Sequence, residues 1–105
     1  MPFANTFELE IHFKKHGHKF GATAKEEYER LADAFLFGPM NPNTKECLRP
    51  SGADRLRFDF VTVHFGVASV APVFVRTFYP VERRIVVRHG GSAGYFSYEC
   101  ARVDL

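Results

Sequence analysis

The stretch TAKEEYERLADAFLFGP, residues 23–39, is the clearest structural signal in this chain. Thr23 followed by Glu26 has the spacing of a capping box, which satisfies free N–H groups at the start of a helix. Gly38 and Pro39 end the pattern, because glycine favours a helix C-terminus and proline cannot continue a helix. The stretch therefore predicts an α-helix over residues 24–37. Its buried face is expected to comprise Tyr28, Leu31, Ala32 and Phe35.

The segment before this helix fits two structures. Phe7, Leu9, Ile11 and Phe13 alternate with polar residues, as in a strand, whereas Phe3, Phe7 and Ile11 recur every four residues, as in a helix. Periodicity alone leaves both structures open.

Beyond the helix, the pattern becomes that of β-strands. ECLR (46–49) and RLRFDF (55–60) flank the turn-forming residues PSGAD, and HFGVASV (64–70) and VFVRTFY (73–79) follow. RIVVRH (84–89) fits one further strand, and the amphipathic YFSYECARV (95–103) fits a helix. Helices followed by consecutive strands predict an α+β fold with an antiparallel sheet, formed by one domain over residues 1–105.

Composition excludes several classes of protein. The chain has 105 residues, of which 46% are hydrophobic and 12 are Phe, so we expect one folded domain rather than disorder. No apolar stretch approaches the roughly 20 residues of a membrane span, and the N-terminus lacks the pattern of a secretory signal. We therefore expect no membrane partner and a soluble chain that stays in the compartment where it is made or to which it is delivered. Cys47 and Cys100 form no CxxC motif. One disulfide between them is an alternative, but two reduced thiols in a cytosolic environment are the simpler interpretation.

Charge is distributed unevenly. The net charge is +2, yet residues 48–89 contain seven Arg and only three acidic residues, a balance of +4. The planar guanidinium of Arg matches phosphate oxygens, so this segment is compatible with a polyanionic partner, although a solvated basic face explains it equally well.

Three of the five histidines lie together in HFKKHGHKFG, residues 12–21. His16 is the most distinctive, because Lys14, Lys15 and Lys19 surround it in sequence. Nearby cations lower the pKa of an imidazole, and a neutral imidazole acts as a general base, while the same cations attract a phosphate. A surface helix end that happens to carry His and Lys is the alternative. A metal site formed by His12, His16 and His18 is a further alternative, because residues four apart share a helix face.

The strand VFVRTFYP, residues 73–80, is the second candidate. Alternation predicts Arg76 and Phe78 on one face and Val75, Thr77 and Tyr79 on the other. On a concave face, the hydroxyls of Thr77 and Tyr79 would donate hydrogen bonds to a phosphate.

In this order and spacing, HFKKHGHKFG, TAKEEYERLADAFL, RPSGADRLRFDF, FGVASV, VRTFYP and the closing YFSYEC resemble a bacterial toxin domain. Such domains are found at the C-termini of contact-dependent inhibition proteins, Rhs-type proteins and other polymorphic toxins. They are similar to the ribonuclease superfamily that includes barnase, colicin-type transfer-RNA nucleases, EndoU and RelE. The resemblance covers about residues 9–80 and 95–100. It implies N-terminal helices packed on a four- to five-stranded antiparallel sheet, and favours the helix for residues 7–16.

The resemblance also implies metal-independent RNA cleavage without a cofactor, often of transfer RNA. A cognate immunity protein or antitoxin is the implied protein partner. The family's catalytic positions correspond to Lys15, His16, Arg76 and Thr77, and less closely to Tyr79; His12 is the reserve acid or base. Contacts to RNA are expected from Lys14, Lys19, Arg55, Arg57, Arg83 and Arg84. A non-catalytic RNA- or protein-binding module with the same fold remains the alternative.

Overall fold

A computed structural model describes residues 3–103. Four helices, one 3-10 turn and four strands follow one another along the chain. They are α1 (Thr6–His16), the 3-10 turn (Gly17–Phe20), α2 (Lys25–Phe37), β1 (Thr44–Leu48), β2 (Asp54–Asp59), β3 (His64–Ser69), β4 (Phe74–Pro80), α3 (Arg83–Arg88) and α4 (Ser92–Ala101).

The strands form one antiparallel sheet in the order β1-β2-β3-β4. Each strand pairs with the next in sequence, so short turns suffice to connect them. Two helices precede the sheet, which confirms the predicted α+β class and the predicted N-terminal helices on a four- to five-stranded antiparallel sheet. None of the helices described is long and apolar enough to cross a membrane.

Helix α1 resolves the ambiguity of the first segment. The side chain of Asn5 accepts a hydrogen bond from the Glu8 N–H at 2.8 Å and so caps the helix start. Leu9 packs in the core with Phe13, whereas Phe7 is 69% exposed and Ile11 is also exposed. The helix implied for residues 7–16 is therefore confirmed, but the stripe of Phe3, Phe7 and Ile11 is not its buried face, because Phe7 and Ile11 point to solvent and Phe3 precedes the helix.

Helix α2 occupies nearly the predicted range, with differences at its start and on its buried face. Ala24 is the N-cap residue and has no side-chain cap, and the Glu27 carboxylate, rather than that of Glu26, accepts from the Thr23 N–H at 2.9 Å. Leu31 is exposed at 40%, so its predicted burial is wrong. The fully buried residues of this helix are Tyr28, Ala32 and Leu36.

Gly38 ends α2 for a steric reason. A Cβ atom at this position would lie 2.5 Å from the carbonyl oxygen of Ala34, so a larger residue would have to displace backbone. Arg57 of β2 completes the helix end by donating from Nη1 to the carbonyls of Phe35 (3.1 Å) and Gly38 (2.6 Å).

The sheet separates two hydrophobic cores. The N-terminal core lies between the sheet and α1–α2 and contains Phe3, Leu9, Ala22, Tyr28, Ala32, Leu36, Ala68, Val75 and Phe78. The C-terminal core lies between the sheet and α3–α4 and contains Leu56, Phe58, Val63, Phe65, Val67, Val81, Val86 and Tyr95. Both faces of the sheet are thus covered by helices.

A β-bulge in β4 changes the predicted facing of one residue. Val67 lies opposite Thr77 and Ala68 lies opposite Val75, so Arg76 has no partner across the ladder. As a result, Val75 belongs to the N-terminal core with Phe78. The prediction that Val75 shares a face with Thr77 and Tyr79 is wrong, because one extra residue breaks the period of two.

The C-terminal third corrects two further predictions. RIVVRH fits a strand by its β-branched residues, but residues 83–88 form α3, whereas the helix expected near residue 95 is confirmed as α4. Cys47 of β1 and Cys100 of α4 form a disulfide, with 6.1 Å between their Cα atoms. The preferred interpretation of two reduced thiols is therefore wrong, because the fold brings together residues 53 positions apart.

Candidate active site

His16 and Tyr79 meet at the edge of strand β4. The imidazole of His16, the last residue of α1, stacks on the Tyr79 phenol with 4.9 Å between ring centroids. Both residues line a cavity of about 150 Å³. The other lining residues are Lys19, Pro80, Val81, Glu82, Ile85 and Tyr95. The cavity therefore lies where the N-terminal helices and the C-terminal helices meet.

The environment of His16 keeps its imidazole neutral. Lys19 Nζ lies 3.3 Å from Nδ1, and an ammonium only donates, so Nδ1 is the acceptor and Nε2 carries the proton. Partial burial, followed by the charge of Lys19, lowers the pKa of His16 to about 4. His12, Lys15 and His18 lower this pKa further by smaller amounts. His16 is thus available as a proton acceptor across the neutral pH range.

His12 is the second histidine near the site, one helical turn before His16. The two ring centroids are 6.2 Å apart, and the His12 ring also stacks on Phe3 at 5.2 Å. Its Nδ1 is buried without a hydrogen-bond partner among residues 3–103, and its Nε2 lies 3.9 Å from Glu8 Oε2. Burial lowers the pKa of His12, so this ring is also mainly neutral.

Exposed lysines form the rim of the site. Lys14 and Lys15 lie in the last turn of α1, and Lys19 lies in the 3-10 turn that follows, all three at the surface. The structure therefore brings together His12, Lys15, His16 and Tyr79 from the predicted catalytic set, with Lys19 beside them, whereas Lys14, two residues before His16, points to the opposite face of α1.

Arg76 lies elsewhere on the same strand. Its Nε donates to Asp54 Oδ1 at 2.6 Å, and its guanidinium lies over the Phe74 ring at 5.0 Å. It lies three positions before Tyr79, which corresponds to about 10 Å along β4. Thr77 is closer, since it lies two residues from Tyr79 and faces the C-terminal core as its partner Val67 does. Arg76 and Thr77 therefore lie further along β4 and are not gathered at His16 with the other predicted catalytic residues.

The four arginines predicted to bind RNA have partners within the protein. Arg55 and Arg57 both donate to Glu46 Oε1 at 2.7 Å, and Arg57 also completes the end of α2. Arg83 donates to the Val61 carbonyl at 3.1 Å, and Arg84 pairs with Glu82, two residues before it. Arg55 and Arg57 thus have structural roles, and the function proposed below does not depend on these four residues.

A polar network behind Tyr79 escaped the sequence analysis. Tyr95 lines the cavity together with Tyr79, and its hydroxyl donates to Glu99 Oε2 at 2.8 Å. Arg49 and Arg102 pair with Glu99 Oε1 at 2.7 and 3.1 Å. The spacing of Tyr95 and Glu99, four residues apart, is the only signal in the sequence, and it does not indicate a contact with β4.

Within the described part of the chain, no three His, Cys, Asp or Glu side chains are grouped so as to hold a metal ion, and His12, His16 and His18 therefore form no such site.

Comparison with known proteins assigns no family. No protein-family model matches the sequence, and no curated protein is significantly similar to it.

Proposed function

We propose that this chain is a metal-independent endoribonuclease. The observation that carries the proposal is the neutral imidazole of His16, which lines a surface cavity between Lys19 and the Tyr79 ring. RNA contains its own nucleophile in the ribose 2′-hydroxyl, so cleavage requires only proton transfer and stabilisation of charge on phosphorus.

His16 is the proposed general base. Its Nδ1 holds a lone pair that contacts Lys19 in the free protein. A phosphate that binds the Lys19 ammonium draws it away, and Nδ1 then accepts the proton of the 2′-hydroxyl. The 2′-oxygen forms a bond to phosphorus as the bond to the 5′-oxygen breaks. The products are a 2′,3′-cyclic phosphate and a 5′-hydroxyl.

Tyr79 is the better of two proton donors for the departing 5′-oxygen. Burial, followed by the charge of Glu99, raises the pKa of Tyr79, so the phenol keeps its proton at neutral pH. His12 is the second candidate, but it is mainly neutral and partly buried. A neutral imidazole is a weaker acid than an imidazolium, which favours Tyr79.

Lysines and the upstream half of β4 are proposed to hold the substrate. Lys15 and Lys19 flank His16 and would stabilise the extra negative charge of the phosphorane, with Lys14 as a further contact to the backbone. Thr77 would donate to a neighbouring phosphate along the strand. Arg76 would join it only by exchanging Asp54 for phosphate.

The biological setting is proposed from the resemblance to polymorphic toxin domains. It implies transfer RNA as the substrate, the cytoplasm of a target bacterium as the place of action, and growth inhibition as the outcome. A nuclease of this kind requires a cognate immunity protein. The lysines around His16 suit an acidic inhibitor that covers the site, because complementary charge speeds association.

Cleavage of total RNA by the purified chain in EDTA tests the proposal. We expect fragments ending in 2′,3′-cyclic phosphate, and we expect His16→Ala to slow cleavage by about 10²–10⁴-fold, the usual contribution of a general base. His18→Ala is the matched control, because His18 is an exposed histidine two residues away. Cleavage by His16→Ala at the normal rate, or RNA binding without cleavage by the unmodified chain, would refute the proposal.

A further inference from the structure

Two aromatic rings are stacked on each other at the surface beside the cavity of His16. His89 is the residue that follows α3, and Tyr98 lies on α4; their ring centroids are 4.1 Å apart, with 30° between the ring planes. Tyr98 is 45% exposed and His89 is half-buried. The two rings therefore form a flat aromatic surface that a further ring can reach.

The stacked pair adjoins the cavity through Tyr95. The buried Tyr95 ring lines the cavity, and its centroid lies 5.6 Å from that of His89 and 6.3 Å from that of Tyr98. One aromatic ring thus separates the stacked pair from the cavity that His16 lines. An extended chain with a phosphate in the cavity therefore has a neighbouring unit within reach of the pair.

The surroundings of the stacked pair carry positive charge. Arg88 directly precedes His89, is exposed, and its side chain has no hydrogen-bond or ion-pair partner within residues 3–103. The guanidinium of Arg102 lies over the Tyr98 ring, 5.9 Å from its centroid, and the Arg102 side chain is 52% exposed. Aromatic rings flanked by cations suit single-stranded nucleic acid, because bases stack on the rings and phosphates contact the cations.

We infer that His89 and Tyr98 form a stacking site for an unpaired base of the RNA substrate, and that Arg88 contacts a phosphate of the same strand. The inference rests on the proposed function, because it places this base next to the phosphate that is cleaved at His16. The two rings already stack on each other, so binding a base orders few additional side chains. Proteins read RNA mainly at unpaired bases, so this site selects loops and single strands over duplexes.

Binding of single-stranded RNA tests the inference in the full chain with its disulfide intact. The probe is a fluorescent oligonucleotide of about ten nucleotides with 2′-O-methyl ribose, which keeps bases and phosphates but lacks the nucleophilic hydroxyl and is not cleaved. Inorganic polyphosphate is the second probe, because it carries negative charge without bases. Fluorescence anisotropy measures Kd for the oligonucleotide, and titration calorimetry measures Kd for polyphosphate.

In Tyr98→Ala we expect Kd for the oligonucleotide to rise about 10-fold, as for the loss of one stacked base, with Kd for polyphosphate within about twofold. Tyr98→Phe keeps the ring and should keep the affinity. Arg88→Gln removes a charge and should weaken binding of both probes. Phe7→Ala is the matched control and should change neither Kd, because Phe7 is 69% exposed and lies on the face of α1 opposite His16.

Unchanged oligonucleotide binding in Tyr98→Ala, or an equal loss of affinity for both probes, would overturn the inference. If Tyr98→Ala does not fold, His89→Ala removes the other half of the stacked pair, and unchanged oligonucleotide binding in that variant overturns it. Failure of the proposed function has a different result: the unmodified chain binds the oligonucleotide, Tyr98→Ala weakens this binding, and RNA is not cleaved. Cleavage of RNA together with unchanged binding in Tyr98→Ala refutes the stacking site alone.

Discussion

Two ion pairs of equal length allow a direct test of how burial sets the strength of a contact. Arg49 Nη2 lies 2.7 Å from Glu99 Oε1, and Arg84 Nε lies 2.7 Å from Glu82 Oε2. The side chains of the first pair are 8% and 4% exposed, and those of the second are 72% and 60% exposed. Replacing each arginine by methionine removes the charge and keeps most of the apolar stem.

The magnitude for Arg49→Met follows from what Glu99 loses. Breaking a buried pair by removing one partner costs about 3–5 kcal/mol, because a charge is left in the interior. Glu99 keeps Arg102 at 3.1 Å and the hydroxyl of Tyr95 at 2.8 Å, so we expect the lower end, about 3 kcal/mol. For Arg84→Met we expect no measurable change, since solvent screens an exposed pair.

Urea unfolding followed by circular dichroism measures both effects as differences in the free energy of unfolding. A loss of about 3 kcal/mol is a large part of the stability of a small domain, so the two variants should be clearly separated. Equal changes in the two variants, or a larger change in Arg84→Met, would refute the reasoning that burial makes the Arg49–Glu99 pair the stronger contribution to stability.

Three further predictions follow from the site and the fold. Cleavage should persist to about pH 5, because His16 becomes protonated and stops acting as a base only near its pKa of about 4. Lys19→Gln removes a nearby positive charge, so it should raise that pKa and move the acid limb of the kcat/KM profile to higher pH. The same lowered pKa should make the free energy of unfolding fall as the pH decreases from 6.5 to 4, because the unfolded chain binds the proton at higher pH than the folded chain. Urea unfolding at several pH values should show a smaller pH dependence of this free energy in His16→Gln. Reducing the disulfide, which joins residues 53 positions apart, should lower the free energy of unfolding by about 4 kcal/mol, because the unfolded chain regains loop entropy. The double variant Cys47→Ala/Cys100→Ala should match the reduced protein in urea unfolding. An unchanged unfolding midpoint would contradict this prediction.

The fold was largely predictable because its signals are local. Helix α2 has a 3.6-residue pattern, and turn-forming residues in the sequence separate the four strands. The first segment fitted both patterns, and neither identified its buried side, because Phe7 and Ile11 belong to both patterns and are exposed. Residues 83–88 were misjudged because Ile and Val favour strands in general, whereas here they form a helix of which Val86 packs in the C-terminal core.

The site was less predictable because its contacts join distant parts of the chain. His16 and Tyr79 were each identified as candidates, but nothing local indicates that their rings stack. The partner of Arg76 could not be foreseen either, since Asp54 lies 22 residues away on β2. The network of Tyr95, Glu99 and Arg49 joins α4 to the residue that follows β1, and the disulfide depends on the same tertiary arrangement.

The extra residue at Arg76 divides β4 into two segments of opposite parity. Val75 before it and Phe78 after it both pack in the N-terminal core, while Tyr79 stacks on His16 at the candidate site. This arrangement depends on the number of residues in β4. Deleting one residue at the bulge would restore a uniform phase, and either Val75 would then leave its core or Tyr79 would turn away from His16. Insertions and deletions in this strand should therefore be far more damaging than substitutions of similar size.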